Sequence, residues 1–168
     1  MDRIFFEASN TKTFASDDAR RDFRTRWLGR YLDHRPDLFH VALTTPPDQR
    51  LAGYLAGALD DPARTDLYRD IGYFPLLGAE TSRFPAHLHI NLANEFRGRG
   101  IGSRLIERFV DDVAAAGLPG VHVVTGASSR NVGFYRRNGF VFEKRFDWHG
   151  SLLVLLGRSI GDGAAPAA

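Results

Sequence analysis

Apolar residues recur along this chain with two different periods, and the two periods separate its helices from its strands. Phe23, Trp27, Leu28 and Tyr31 fall three and four residues apart, which lines them up on one stripe of a helix. Ser16 with Asp17 and Asp18 supplies the start of that helix, and His34-Arg35-Pro36 its stop just beyond residue 32. A second stripe, Leu105, Ile106, Phe109, Val110 and Val113, follows glycines 98, 100 and 102 and ends at Gly117 with Pro119 behind it. Residues 131–138 predict a short helix closed by Gly139.

Alternation with period two predicts strands. In residues 86–93, His87, His89 and Asn91 alternate with Leu88, Ile90 and Leu92, giving one polar and one apolar face. Residues 39–44 and 51–58 flank Pro46-Pro47-Asp48-Gln49 and predict a hairpin. Residues 4–8 and 121–125 read as strands, and residues 140–148 and 152–156 as a final hairpin about His149-Gly150. Between residues 59 and 85 the period dissolves into a stretch with three prolines and the aromatics Tyr68, Tyr73, Phe74 and Phe84, a length of loop that is often functional. The pattern predicts one α/β domain of about seven mixed strands over residues 1–160. Residues 161–168, with nothing to bury, are expected to be a disordered tail.

Composition narrows the chemistry. The 168 residues contain no cysteine, which removes disulfides, thiolate zinc sites and a cysteine nucleophile. Lys+Arg number 22 and Asp+Glu 20, so bulk charge points to no nucleic-acid partner. No segment has the length of a membrane span, and the start lacks a secretory pattern, so no membrane partner and a cytoplasmic location are expected.

The strongest chemical signal is Arg97-Gly98-Arg99-Gly100-Ile101-Gly102-Ser103, between a strand and a helix. Glycines let a backbone approach a ligand closely, and the first N–H groups of a helix point at it with the positive end of the dipole behind them. Arg97, Arg99 and Arg104 lie in a stretch without an acid, the makings of a phosphate cradle. A dinucleotide fingerprint would need glycine where Ser103 stands, and a P-loop needs Gly-Lys-Ser/Thr, which is absent. A turn that binds nothing is the alternative.

The string Ile90-Asn-Leu-Ala-Asn-Glu-Phe-Arg97-Gly-Arg-Gly100-Ile-Gly102-Ser103 resembles motif A of the GCN5-related N-acetyltransferases (GNAT), and Phe134-Tyr135 with Gly139-Phe140 resembles the motif that follows it. Pro85-Ala-His87-Leu-His89-Ile is also similar to the branch related to the C-terminal acetyltransferase-like domain of O-GlcNAcase. The resemblance implies the GNAT acyl-CoA N-acyltransferase fold, with helices on both faces of the sheet, and acetyl-CoA as co-substrate in an opening between the fourth and fifth strands of the family. It implies that the main chain at Ile90, Asn91 and Leu92 pairs with the pantetheine arm. By the same token backbone groups from Arg97 through Gly98, Arg99, Gly100, Ile101 and Gly102 to Ser103 hold the pyrophosphate. Tyr135 beside Phe134 matches the tyrosine that protonates the departing thiolate. Many members carry asparagine seven residues before that tyrosine, where this chain has Ser128, so Ser128 or Asn131 makes the corresponding contact. Arg136 and Arg137 either reach the 3′-phosphate or are solvated surface charges.

His87 and His89 leave three readings open. Neutral imidazole has the affinity to take the proton of an acceptor amine, directly or through water. The arylalkylamine branch of the family carries a similar His-x-His as a relay, one residue further from the glycine loop. A metal site with Glu95 is the second reading, disfavoured by spacing and by the helical stripe after Gly102. The third is a purely hydrogen-bonding role. The expected activity is acetyl-CoA-dependent N-acetyl transfer to an unidentified amine in a ternary complex, with no metal. A backbone N–H near Leu92 would hold the oxyanion, and the aromatics of residues 59–85 would wall the acceptor pocket of a monomer or homodimer. A non-catalytic acetyl-CoA-binding module with the same fold is the rival.

Overall fold

The computed structural model describes residues 1–161, so the expected tail lies, from residue 162 on, outside the described residues. Its six strands form one mixed sheet in the order β1-β2-β3-β4-β6-β5, with β1 Phe39–Leu43, β2 Leu51–Ala58, β3 Ala86–Leu92, β4 Gly120–Gly126, β5 Phe142–Trp148 and β6 Ser151–Ser159. The described residues divide into two units, residues 1–58 with 89–109, and residues 59–88 with 110–161. Among the described residues no helix is long and apolar enough to cross a membrane.

In the first unit, the strand expected at residues 4–8 is instead part of a helix, α1 (Asp2–Ala8). Its adjacent residues Ile4 and Phe5 are both buried, packed with Leu28, Tyr54 and Ala93. Lys12 then donates from Nζ to the carbonyls of Phe6 and Glu7 at 3.3 and 2.8 Å, satisfying acceptors that the helix end leaves open. This helix is why the sheet has six strands and not about seven. Its Phe5 and Phe6 join Phe14 and Phe23 in a ring cluster with centroid separations of 4.9 to 5.9 Å.

The helix predicted from residue 16 is present with a change of winding. It comprises α2 (Asp17–Arg24), a π-helical segment Thr25–Gly29 and α3 (Arg30–His34). Ser16 accepts from the Ala19 N–H at 3.1 Å as its N-cap. Leu28 and Tyr31 of the predicted stripe are buried, while Phe23 and Trp27 are half-buried. The hairpin β1–β2 runs antiparallel from Phe39↔Ala56 to Leu43↔Leu51. Ile4, Phe5, Leu28, Tyr54 and Ala93 form a core cluster. Helix α5 (Ile101–Ala115) lays Phe109, fully buried, across Gly57 of β2.

In the second unit, residues 59–85 are more ordered than their lack of period suggested. They fold into 3-10 turns at Asp66–Tyr68 and Phe74–Leu77 and the helix α4 (Gly78–Arg83). Turns of three or four residues are too short to establish a hydrophobic period. Tyr68, Tyr73, Phe74 and Phe84 are all buried in this unit, so these rings build its core. Phe84 occupies the space left by two glycines: a Cβ on Gly120 or on Gly157 would meet its ring at 2.5 and 2.7 Å. Strands β4 and β6 pair antiparallel, as do β5 and β6, whose turn carries His149 and Gly150 at φ of 51° and 76°, both left-handed as a tight hairpin requires.

Gly57 is a close-packing point of the first unit, because a Cβ there would lie 2.1 Å from Phe109 Cε2. Gly57→Ala is expected to destabilise the protein by about 1–3 kcal/mol through overpacking, read as a lower urea midpoint. An unchanged midpoint would show that this ring is not held against the strand.

Candidate functional site

The glycine loop belongs to the first unit. A 3-10 turn, Asn94–Phe96, leads from β3 into it, and Gly98 and Gly100 both adopt φ of 73°, a left-handed conformation that glycine takes without a Cβ penalty. Nothing lies within 4 Å of the position a Cβ would occupy at either glycine, so the backbone here faces open space. Gly100 accepts from the Arg104 N–H at 3.2 Å, the first turn of α5. The N–H groups of Ile101, Gly102 and Ser103 precede that bond, and a helix start provides them no acceptor of its own. Dipole and donors together favour an anion there.

The arginines are arranged around this turn. Arg97 donates from Nε to the carbonyl of Leu92 at 3.2 Å, which ties the loop to the end of β3. The Arg99 guanidinium stands 5.7 Å from the centre of the Phe96 ring. Arg50 shares that ring and pairs with Glu95 at 2.6 Å, and the loop's one acid is held below the usual carboxylate range by backbone hydrogen bonding and by Arg50. Arg97, Arg99 and Arg104 are exposed.

The second half of β3 also lies in this unit. His89 is half-buried, with Nε2 3.0 Å from the Tyr31 hydroxyl and with Trp27 edge-on at 5.2 Å. Asn91 donates from Nδ2 to the Tyr54 hydroxyl at 3.1 Å. Ile90 and Leu92 are half-buried. Tyr31 and Tyr54 are partners that sequence reasoning did not single out. Tyr31 was visible only as a member of an apolar stripe.

His87, by contrast, belongs to the second unit and is buried among rings. Tyr68 stands edge-on at 4.7 Å, Phe74 lies at 6.0 Å, and His122 stacks on it at 5.5 Å with planes 30° apart. The parallel pairing of β3 with β4 places the two histidines opposite each other. His122, a lone polar residue in the run 121–124, was missed. Its Nδ1 bonds the Phe84 carbonyl at 2.5 Å, so Nδ1 carries the proton and the buried Nε2 is left with no partner. Burial depresses its pKa to about 4, against the opposing pull of the Phe84 carbonyl and the Asp61 charge. Among the described residues no group of three or more His, Asp or Glu side chains is placed to hold a metal ion.

Tyr135 also sits in the second unit, on α6 (Asn131–Arg137), and its position follows from how that helix ends. Gly139, at φ of 82°, lets Phe140 N–H reach the Tyr135 carbonyl at 3.1 Å and its own N–H reach Arg136 at 3.1 Å. That is the Schellman arrangement, completed by the Tyr135–Phe140 ring contact at 5.6 Å. The spacing from Phe134-Tyr135 to Gly139-Phe140 is therefore a capping device that fixes the tyrosine. Tyr135 is 4% exposed, and burial pushes its pKa up, so the hydroxyl keeps its proton. Phe134 is half-buried beside it. Asn131 accepts from the Thr125 hydroxyl at 3.1 Å, and Ser128 is exposed in the preceding turn. Arg136 is engaged by Glu143.

The family model for the GNAT acetyltransferase domain matches residues 39–142, which span the glycine loop and the tyrosine helix. The chain belongs to the GNAT acetyltransferase family. Solved structures share the fold. SsHAT is 24% identical over 83% of this chain and 80% of its own, with a TM-score of 0.63. Naa20 of Chaetomium thermophilum, solved with a bisubstrate analogue, is 20% identical over 78% and 70%, with a TM-score of 0.59. yncA of Salmonella typhimurium, solved with its cofactor acetyl-CoA, is 16% identical over 99% and 90%, with a TM-score of 0.59. The sheet of this GNAT domain carries a neutral buried imidazole, and that has a measurable cost. With a folded pKa of about 4 against an ordinary 6.5, His122 binds fewer protons folded than unfolded. Stability is therefore full above pH 6.5 and declines as pH falls toward 4, by at most about 3 kcal/mol. His122→Asn should flatten urea midpoints measured between pH 7 and 4, and an undiminished slope would assign the loss to other groups.

Proposed function

We propose that this GNAT protein transfers the acetyl group of acetyl-CoA to the nitrogen of an amine by direct attack, with both substrates bound together. The observation that carries the reading is the turn into α5. Two left-handed glycines with open Cβ directions, the N–H groups of a helix start and three arginines fit a pyrophosphate. Acetyl-CoA supplies an activated thioester. Backbone N–H groups between Arg97 and Ser103 hold its diphosphate, and the main chain of Ile90, Asn91 and Leu92 pairs with its pantetheine arm. The chain has no cysteine, so no thiol can carry the acetyl group between substrates.

His89 serves as the base, directly or through water. Its half-buried setting with a hydroxyl partner suits proton transfer better than the ring-lined burial of His87. His87 then has a packing role in this reading. A backbone N–H near Leu92 takes the charge developing on the carbonyl oxygen. Tyr135 is kept protonated by burial and hands its proton to the departing thiolate, while Phe134, Asn131 and Ser128 contact the cofactor.

One experiment separates the parts of this account. Acetylation of a panel of small amines by the parent protein is compared with Tyr135→Phe and Gly100→Asp. Tyr135→Phe should lower kcat by roughly 10²-fold or more with little change in acetyl-CoA affinity. Gly100→Asp should weaken acetyl-CoA binding strongly at an unchanged melting temperature, since aspartate tolerates the left-handed conformation and adds a charge where phosphate would sit. Tight binding with no transfer to any amine would favour the non-catalytic module. Unchanged affinity in Gly100→Asp would remove the phosphate assignment.

A further inference from the structure

We propose that Tyr31 is a positioning residue for His89. In this assignment its Oη accepts a hydrogen bond from His89 Nε2–H, which leaves Nδ1 to take a proton and stabilises the imidazolium that then forms. The inference rests on the reading of His89 as the base.

The geometry is specific to this pair. Tyr31 Oη and His89 Nε2 are 3.0 Å apart, and Tyr31 is 1% exposed, so its ring has no room to swing away. Tyr31 and Trp27 both stand edge-on to the imidazole, at 5.1 and 5.2 Å with planes at 77° and 76°. The helix that delivers them is irregular at this point. The π-helical segment Thr25–Gly29 inserts a residue between α2 and α3, which turns everything downstream by about 100°. Phe23, upstream, thereby packs with Phe5 and Phe14, while Tyr31, downstream, meets His89. A mid-helix change of winding carries an energetic cost, and such segments concentrate at functional positions.

The chemistry of the partner matters as much as its place. A carboxylate on Nε2 would hold the ring protonated. A phenol oxygen carries no charge at neutral pH, so it favours the imidazolium modestly and leaves His89 able to be neutral before the reaction. Arg24 on the same helix is paired to Asp2 of α1 at 2.9 Å and is also under the influence of Asp33 and Tyr54. On β3 the neighbouring Asn91 is uncharged and donates to Tyr54. In the step itself the N–H bond of the acceptor ammonium breaks and Nδ1–H forms, directly or through a water. The freed nitrogen lone pair then attacks the thioester carbonyl, and Nε2–H stays on Tyr31 throughout.

The test compares the parent with Tyr31→Phe, which keeps the ring. The readouts are the NMR titration of the His89 imidazole and the pH dependence of kcat/KM for the amine. Losing one hydrogen bond to the charged form should lower the His89 pKa by about one unit, a tenfold change in its protonation equilibrium. The acidic limb of the profile should move down with it, while the KM for acetyl-CoA stays the same. An unmoved His89 titration overturns the role of Tyr31 alone, because a profile that still tracks His89 keeps the base assignment. A moved titration with an unmoved profile overturns the base assignment and the inference with it. The ¹⁵N shifts of His89 in the unmodified protein test the same point without a variant: a proton on Nε2 is expected, and a proton on Nδ1 alone in the neutral ring overturns the proposal.

Discussion

A polar side chain on a covered strand has to find a partner within the fold, because an unmatched one costs roughly 1–3 kcal/mol. Strand β3 meets that requirement with a hydroxyl at two of its polar positions, His89 and Asn91. His87 is taken up by rings and by a second imidazole on β4, His89 by the hydroxyl of Tyr31, and Asn91 by the hydroxyl of Tyr54. The two hydroxyls come from different elements, Tyr31 from α3 and Tyr54 from β2. The partners also differ in kind. A hydroxyl leaves an imidazole able to gain and lose a proton, whereas the aromatic burial around His122 holds that ring neutral.

How much of this was legible in the sequence depends on whether a feature is local or arises from packing. The α5 stripe, the β1–β2 hairpin and the alternation of β3 were readable, because period and turn residues reflect backbone geometry over ten residues or fewer. The glycine loop was readable for the same reason: glycine where φ is positive is a local necessity. Residues 4–8 were misread as a strand because a seven-residue helix with Phe5 and Phe6 in a ring cluster has little period to show, and tertiary contacts with Phe14 and Phe23 decide its state. The core made by residues 59–85 was hidden by turns of three or four residues.

The site was half legible. Motif spacing pointed to the loop and to Tyr135 as candidates, and the Schellman end of α6 gives the physical reason for the second spacing. Spacing could not find Tyr31, Tyr54 or His122, whose significance comes from residues far away in sequence. It also gave His87 and His89 equal standing. Their surroundings separate them, since one is enclosed by aromatic rings and the other bonds a hydroxyl.

Membership of the GNAT family accounts for the architecture and for an acetyltransferase domain, while the identity of the acceptor belongs to side chains that no motif encodes. The central claim is direct transfer between two substrates held at once. Initial rates measured with acetyl-CoA and an accepted amine varied together test it most directly. Double-reciprocal lines that intersect are predicted, and parallel lines, the mark of an acetylated enzyme intermediate, would contradict the account.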